Sequence, residues 1–464
     1  MAWPSAILNV CDQIEKIIMM NAKRTVRYDD VLPLTLQAAV EICGEDFFNN
    51  NLLLRDAEGF VTVILREEIE SGVRETLANQ LSTILGVYAA VPPVLTPEDI
   101  FDLTLLDSSK DKFEFVVCPN GYQAYVRYVE RRIVGGDWVR NIQSPIPGAP
   151  KVVVFSSLKG GVGRSTALSV SAIHLARKGK TVLAIDLDLE APGIGGMFLA
   201  KDNLPKYGAL DFFVEFGRTD INPEFLSDMC QVAFQDESGG AFTIVPATGV
   251  ASHIFPQNVL GKISRAYLEV VSETGEPISF LDKTRELISR LCDGKNYDVV
   301  FVDARAGLNE STAATIQGLG ADVLFFGIDT PQTWDGYKYF LAHLSRHKTE
   351  AITPEDWRYK LKVIHAKAVG SEGALQAFRD RSWELFSSHL YDELEGEELA
   401  EGLTEAFGFD LDDSTAPHYA WPIFMSENFF EYNPLDENGT QNTEEYVLPV
   451  FGTFLEHLCE RLGH

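Results

Sequence analysis

Positive charge is what this chain has least of: 39 lysines and arginines stand against 68 aspartates and glutamates in 464 residues, a formal net charge of −29. Such a surface repels nucleic-acid phosphate and anionic lipid, which weighs against a DNA-coating role unless a local basic patch overrules the average. Cysteine is as sparse. Cys11, Cys43, Cys118, Cys230, Cys292 and Cys459 stand apart with no C-x-x-C pair, so neither a zinc knuckle nor a disulfide framework is indicated, and reduced packing residues of a cytoplasmic protein are expected. No apolar run approaches the roughly 20 residues that a bilayer-spanning helix needs, and the first residues lack the succession of a secretory signal; a soluble protein is expected. There is no internal repeat or low-complexity segment. At roughly 100–200 residues per domain the length predicts two to four domains.

What the chain does carry is concentrated in Lys151 to Gly193, KVVVFSSLKGGVGRSTALSVSAIHLARKGKTVLAIDLDLEAPG. Val152–Phe155 is short, apolar and mostly β-branched, as a buried parallel strand should be. It empties into Lys159-Gly160-Gly161-Val162-Gly163-Arg164-Ser165-Thr166, after which helical spacing runs over Ala167–Lys178 and Gly179 stands where a helix C-cap belongs. Phosphate is the natural guest of such a turn. Glycines let successive amides converge on an anion, the helix N-terminus adds partial positive charge, and Ser165 stands where a hydroxyl can ligate Mg²⁺.

Two carboxylate signals follow. A second strand, Thr181–Ile185, leads to Asp186 and Asp188, which share one face if the chain stays extended. Both acids can then point toward the phosphates, one holding Mg²⁺ water and one orienting the attacking water. Later, a helix expected over Leu281–Leu291 leads to the apolar run Val299–Val302 and Asp303, a Walker B pattern, with Gly307 four residues on, where no Cβ would block a γ-phosphate.

The ordinary phosphate-loop pattern G-x-x-x-x-G-K-[ST] is only half matched, with Leu158 in place of the first Gly and Arg164 in place of the Lys. K-G-G-x-G-[KR]-[ST]-[ST] fits instead. It resembles the deviant Walker A motif of the ParA/MinD superfamily of P-loop ATPases, in the SIMIBI class, and Asp186/Asp188 and Asp303/Gly307 resemble that class's switch I and switch II. The resemblance covers roughly the last two-thirds of the chain. It implies a doubly wound α/β fold with a mostly parallel sheet, ATP and Mg²⁺ as cofactors, and a homodimer in the ATP state. Lys159 would reach across the dimer to the partner's nucleotide and count as catalytic with the water-orienting Asp188. Gly160, Gly161, Val162, Gly163, Arg164, Ser165, Thr166 and Gly307 would surround the nucleotide, and Ser165, Asp186 and Asp303 the metal.

At several places two readings stand side by side. Relatives end the strand expected at Leu361–Ala366 with an Asn that contacts adenine; this chain has none there, which leaves the base preference open and His365 as either a substitute or a packed side chain. Arg305 reads as an arginine finger or as a structural arginine. Trp421-Pro422-Ile423-Phe424 and Phe429–Pro434 resemble the late loop that closes over the base, or they pack in the core. The final helix, with Leu448, Phe451, Leu455, Leu458 and Leu462, has no basic face, so a membrane tether is not expected.

Residues 1–148 carry no nucleotide motif and are expected to form an α+β domain of unknown function, with helices carrying Ile7, Val10, Ile14, Ile17 and Ile18, over Thr35–Cys43 and over Glu67–Leu85, and strands at Phe60–Leu65, Phe113–Cys118 and Tyr122–Tyr128. Pro92-Pro93 divides this region. The run Arg127 to Trp138 reads as an amphipathic strand with solvated arginines ahead of a packed Trp, and Ser144–Pro150 as the linker to an ATPase domain over 149–464. The acidic run Glu393–Glu398 reads as a solvated face or a partner-specific insertion. The expected function is an ATP-hydrolysing switch, slow and partner-stimulated, that dimerises on ATP and signals to a protein partner. Rival readings are a DNA-positioning ATPase of ParA type and a slowly hydrolysing or inert nucleotide-bound scaffold suggested by Arg164, with a bacterial defence or stress operon as a conceivable setting.

Overall fold

The computed structural model describes residues 25–107, 112–272, 274–348, 353, 355–392, 406–435 and 440–463. The expected helix around Ile7–Ile18 and the acidic run Glu393–Glu398 lie outside the described residues. The chain divides into two compact units, one ending at Val139 and one starting at Arg140.

The first unit holds a five-stranded sheet in the order β3-β2-β1-β5-β4, with β1 Leu52–Arg55, β2 Val61–Ile64, β3 Ala89–Leu95, β4 Phe113–Val117 and β5 Gln123–Glu130. Alternation sorts its side chains into two layers. Leu53, Val61, Val63 and Val126 face the helices Val31–Cys43 and Ser71–Leu85, burying Leu36, Leu77 and Leu81, while Leu52, Leu54 and Ile64 meet Ile100 and Leu105. Pro92-Pro93 does not divide this region: the pair lies inside β3, an edge strand with one side free of ladder bonds, where a missing N–H is tolerated. Trp138 is buried, as expected, and of the arginines ahead of it Arg131 is exposed while Arg127 and Arg132 are half-buried. Arg127 donates to Phe48 O at 2.8 Å and Arg131 pairs with Asp102 at 2.5 Å.

The second unit is built on an eight-stranded sheet in the order β15-β14-β13-β6-β12-β7-β9-β8. Its strands are β6 Lys151–Ser157, β7 Thr181–Asp186, β8 Gln231–Gln235, β9 Ala241–Val245, β12 Val299–Asp303, β13 Asp322–Gly327, β14 Leu361–Ala368 and β15 Trp421–Phe424; a separate ribbon pairs β10 Val270–Val271 with β11 Pro277–Ile278. All neighbours in the large sheet are parallel except β8, which runs antiparallel to β9 at the edge. This is the doubly wound α/β architecture expected. Phe301 and Phe326 pack on either side of Phe155 in its centre.

The proline-rich stretch 144–150 is anchored on this second unit. Gln143 N–H donates to Gln317 O at 2.7 Å, Arg285 Nη1 to Ser144 O at 2.9 Å, and Ile146 is buried. The compact division therefore falls ahead of the stretch read as a linker. Two of the late aromatics pack in the core: Trp421 starts β15 and stacks on His457, ring centroids 5.3 Å apart, in the helix Glu444–Leu462, and Phe429 meets Phe451 at 4.9 Å, whereas Phe430 is exposed.

Candidate functional site

Parallel strands joined by crossovers bring their C-terminal ends to one edge of the sheet, and ligands of open α/β sheets bind there. Here β6, β12 and β7 lie side by side. Register sets Asp303 against Phe155 on one side and Asp186 on the other, so two carboxylates end adjacent strands beside the glycine-rich turn.

The turn is shaped by its glycines. Gly161 and Gly163 have φ of 75° and 91°, a region that a side chain disfavours, and the helix Arg164–Arg177 begins directly after them. Gly160 and Gly161 are exposed, whereas Val162 is buried and pins the loop to the core. Among the described residues no protein acceptor meets the amides of Gly160, Gly161 and Gly163. Lys159 is half-buried, and its carbonyl accepts Ser157 Oγ–H at 3.0 Å.

Arg164 is the centre of the constellation. Its buried guanidinium donates through Nε to Asp303 Oδ1 at 2.9 Å, through Nη1 to Ser157 Oγ at 3.0 Å and through Nη2 to Asp188 Oδ2 at 3.3 Å. Ser165 Oγ–H takes the other Asp303 oxygen at 2.6 Å. Asp186 is fully buried and organises the following loop, accepting Asp188 N–H at 3.1 Å and Gly193 N–H at 2.9 Å. Burial, reinforced by the Asp303 charge, pushes the Asp186 carboxyl up to about 8. Burial raises Asp303 too, against the pull of Arg164 and Ser165.

Not every predicted residue faces a common ligand. Gly307 has the positive φ expected of it, 97°, but its amide donates to Ser157 O at 3.0 Å and is spent inside the protein. Thr166 lies in the first turn of the helix Arg164–Arg177. His365 is no base contact: its ring lies flat on Phe378, centroids 3.8 Å apart and planes 7° from parallel, and burial pushes it down to about 4. Arg305 is no free finger, since it pairs with Glu190 at 2.6 Å.

Sequence reasoning missed Ser157, Glu190 and the packing role of Gly193. A Cβ on Gly193 would stand 3.3 Å from Ser165 Oγ and 3.7 Å from Asp303 Oδ2, so the loop passes close over the metal-side pair. Its place in a Pro-Gly turn seven residues past Asp186 was the available signal. The residues fit Mg²⁺ in one specific sense. Among the described residues no three His, Cys, Asp or Glu side chains form a cation cage, but Mg²⁺ beside phosphates needs one or two protein oxygens and fills its shell with water and phosphate; Ser165 Oγ and Asp303 Oδ2 are such a pair.

No family model matches the chain. It is similar to an iron-sulfur cluster carrier protein of Pseudomonas fragi, 26% identical over 185 residues, which are 38% of this chain and 62% of that protein. Among solved structures it aligns with a ParA family ATPase from Chlorobium tepidum TLS at a TM-score of 0.42 and 15% identity, over 67% of this chain and 98% of the other. A Cyanothece McdA(D38A)-ATP complex aligns at 0.39 and 14%, over 68% and 97%, and pNOB8 ParA bound to nonspecific DNA at 0.39 and 17%, over 68% and 99%. At TM-scores this low the structural likeness adds nothing to the strand order. The three motifs resemble those of the ParA/MinD superfamily, and the sheet has the doubly wound, mostly parallel order that the resemblance implies.

Proposed function

We propose that this chain is a Mg²⁺-dependent ATP-binding and hydrolysing switch of ParA/MinD type, dimerising on ATP and signalling to a protein partner, with the nucleotide machinery in the unit that begins at Arg140. The observation that carries the reading is the convergence of the glycine-rich turn, Ser165 and three aspartates at the ends of β6, β12 and β7. Amides of Gly160 to Gly163 and the helix N-terminus cradle the phosphates. Ser165, with Asp303 behind it, would hold Mg²⁺, which would supply positive charge beside the phosphate oxygens. Arg164 leaves Asp303 and Asp188 to meet a phosphate, which frees Asp188 to orient water. Lys159, at the outer lip of the turn, offers its ammonium to a neighbour's nucleotide, coupling dimerisation to the γ-phosphate through charge-assisted contacts.

Light scattering tests this directly. The wild type is expected to dimerise with Mg²⁺ and ATP but not with ADP, and Lys159→Ala to bind ATP yet stay monomeric; a wild type equally dimeric in both nucleotides overturns the switch.

The hold of Asp303 and Asp188 on Arg164 favours one other reading, a slowly hydrolysing or inert nucleotide-bound scaffold. Phosphate release from the purified protein, with and without candidate partners, separates the two. The iron-sulfur role stated in the name of the Pseudomonas protein is not proposed for this chain, because clusters are held by grouped cysteine thiolates and the six cysteines form no C-x-x-C pair.

A further inference from the structure

Glu190 belongs to none of the three motifs, yet three separate pieces of chain meet at its carboxylate. Oε1 accepts Arg305 Nη1 at 2.6 Å, and Oε2 accepts the Tyr267 hydroxyl at 3.0 Å. Glu190 sits two residues past Asp188, on the loop that Asp186 shapes; Arg305 sits two residues past Asp303. The loops after β7 and β12 are therefore bridged by two ion pairs, beside the backbone bond from Leu187 N–H to Asp303 O at 3.0 Å. Arg164 joins Asp188 to Asp303 on the inner side, and Glu190 with Arg305 repeats the connection two residues further along each loop. If Arg164 turns to a phosphate, the second bridge is the ionic link left holding Asp188 in register with Asp303.

Tyr267 brings in a third segment, the excursion between β9 and the helix Phe280–Cys292. It directly follows the helix Val259–Ala266, and its ring packs on Phe280 with centroids 4.8 Å apart. The buried Lys283 ammonium donates to Ala266 O at 2.5 Å and Leu268 O at 2.9 Å, fixing the backbone on either side of Tyr267. Around this anchored point the excursion exposes Ile254, Phe255, Leu260, Leu268 and Val271. An ion pair between half-exposed side chains adds little stability by itself, so the use of the Glu190 carboxylate lies in what it joins.

We propose that Glu190 is a positioning residue that holds the loop after β7 to the loop after β12 and couples both to the excursion 259–271. The coupling rests on the nucleotide reading above. A change at Asp188 or Asp303 moves the carboxylate that Tyr267 holds, and so reaches the exposed apolar face.

The test uses the full chain, a fluorescent ATP analogue for affinity, phosphate release for turnover and amide hydrogen exchange with and without Mg²⁺ and ATP. In the wild type, bound nucleotide is expected to change exchange across 259–271. Glu190→Gln keeps the shape and loses the charge: affinity should stay within about threefold and kcat fall about tenfold at unchanged KM, with the response of 259–271 lost. Tyr267→Phe keeps the ring on Phe280, and is expected to keep turnover while losing the response. A purely structural role would lower the unfolding midpoint and leave the response intact. Nucleotide bound by the wild type with no change across 259–271, or a full response in Glu190→Gln, overturns the coupling alone; failure of the wild type to bind nucleotide overturns the nucleotide reading beneath it.

Discussion

In the first unit the sheet is mixed: β1 pairs antiparallel with β2 and β4 with β5, while β1 runs parallel to β5 and β2 to β3, so the strand ends are divided between the two edges of the sheet. In the second unit β6, β12 and β7 run parallel and end together in Ser157, Asp303 and Asp186. Polar residues occur at strand ends in both. In the first, Arg55 and Glu130 end the parallel pair β1 and β5 and both reach Tyr28, Arg55 lying 4.0 Å over its ring and Glu130 accepting its hydroxyl at 3.3 Å, while Asp56 closes its turn by accepting the Glu58 and Phe60 amides at 3.0 and 2.9 Å. In the second, three adjacent strands end together, because crossover connections return each in the same direction. Shared direction turns ordinary strand-end residues into a site.

The sharpest way to break this comparison is to strike each unit once. Asp188→Ala should cut turnover about 100-fold or more while nucleotide affinity stays within about threefold; Phe115→Ser, on an exposed position of the first unit, should leave both unchanged. Phosphate release and fluorescent-nucleotide titration check the pair, and wild-type turnover in Asp188→Ala refutes its assigned role.

Next come the two residues at the metal position. Ser165→Ala and Asp303→Ala should each weaken Mg²⁺-nucleotide binding by about tenfold or more in a Mg²⁺ titration. They should differ in stability, since removing Asp303 strips a buried arginine of its strongest partner, a loss of about 3 kcal/mol in urea unfolding, against about 1 kcal/mol for the serine hydroxyl. Equal losses would mean that Arg164 does not depend on Asp303.

Acid should separate the units as well. All nine histidines lie at or beyond residue 174, and none falls in the first unit. Burial lowers His365 from 6.5 to about 4, so the folded state holds it neutral while the unfolded chain protonates it. Its stabilisation is complete above pH 6.5 and is lost as pH falls toward 4, by up to about 3 kcal/mol. His365→Leu should flatten that slope in urea melts between pH 4 and 7; an unchanged slope would show that His365 is not the group responsible.

The smallest effect concerns the boundary. A fragment starting at residue 149 loses the Arg140–Asp282 pair, the Gln143 and Ser144 hydrogen bonds and the buried Ile146. It should unfold about 2 kcal/mol more easily than one starting at 140. Equal urea midpoints would return 144–150 to the role of a free linker.

Much of the second unit was legible in the chain alone, because its signals are local. An apolar run ending in glycines, a D-x-D pair after a second run and an acid closing a third are each written within about ten residues, and burial on both faces makes such strands near-continuous hydrophobic runs. β1 was missed because Leu52–Arg55 is too short to show a period, and β3 because its prolines argue against a strand until its place at the edge is known. Tertiary structure alone decided who meets whom. Arg164 rests on Asp303, 139 residues away; Glu190 holds Arg305 at a separation of 115; His365 lies under Phe378. Periodicity reports which side of an element is buried, but the partner on that side is set by strand order, and strand order is settled by packing between segments far apart in sequence.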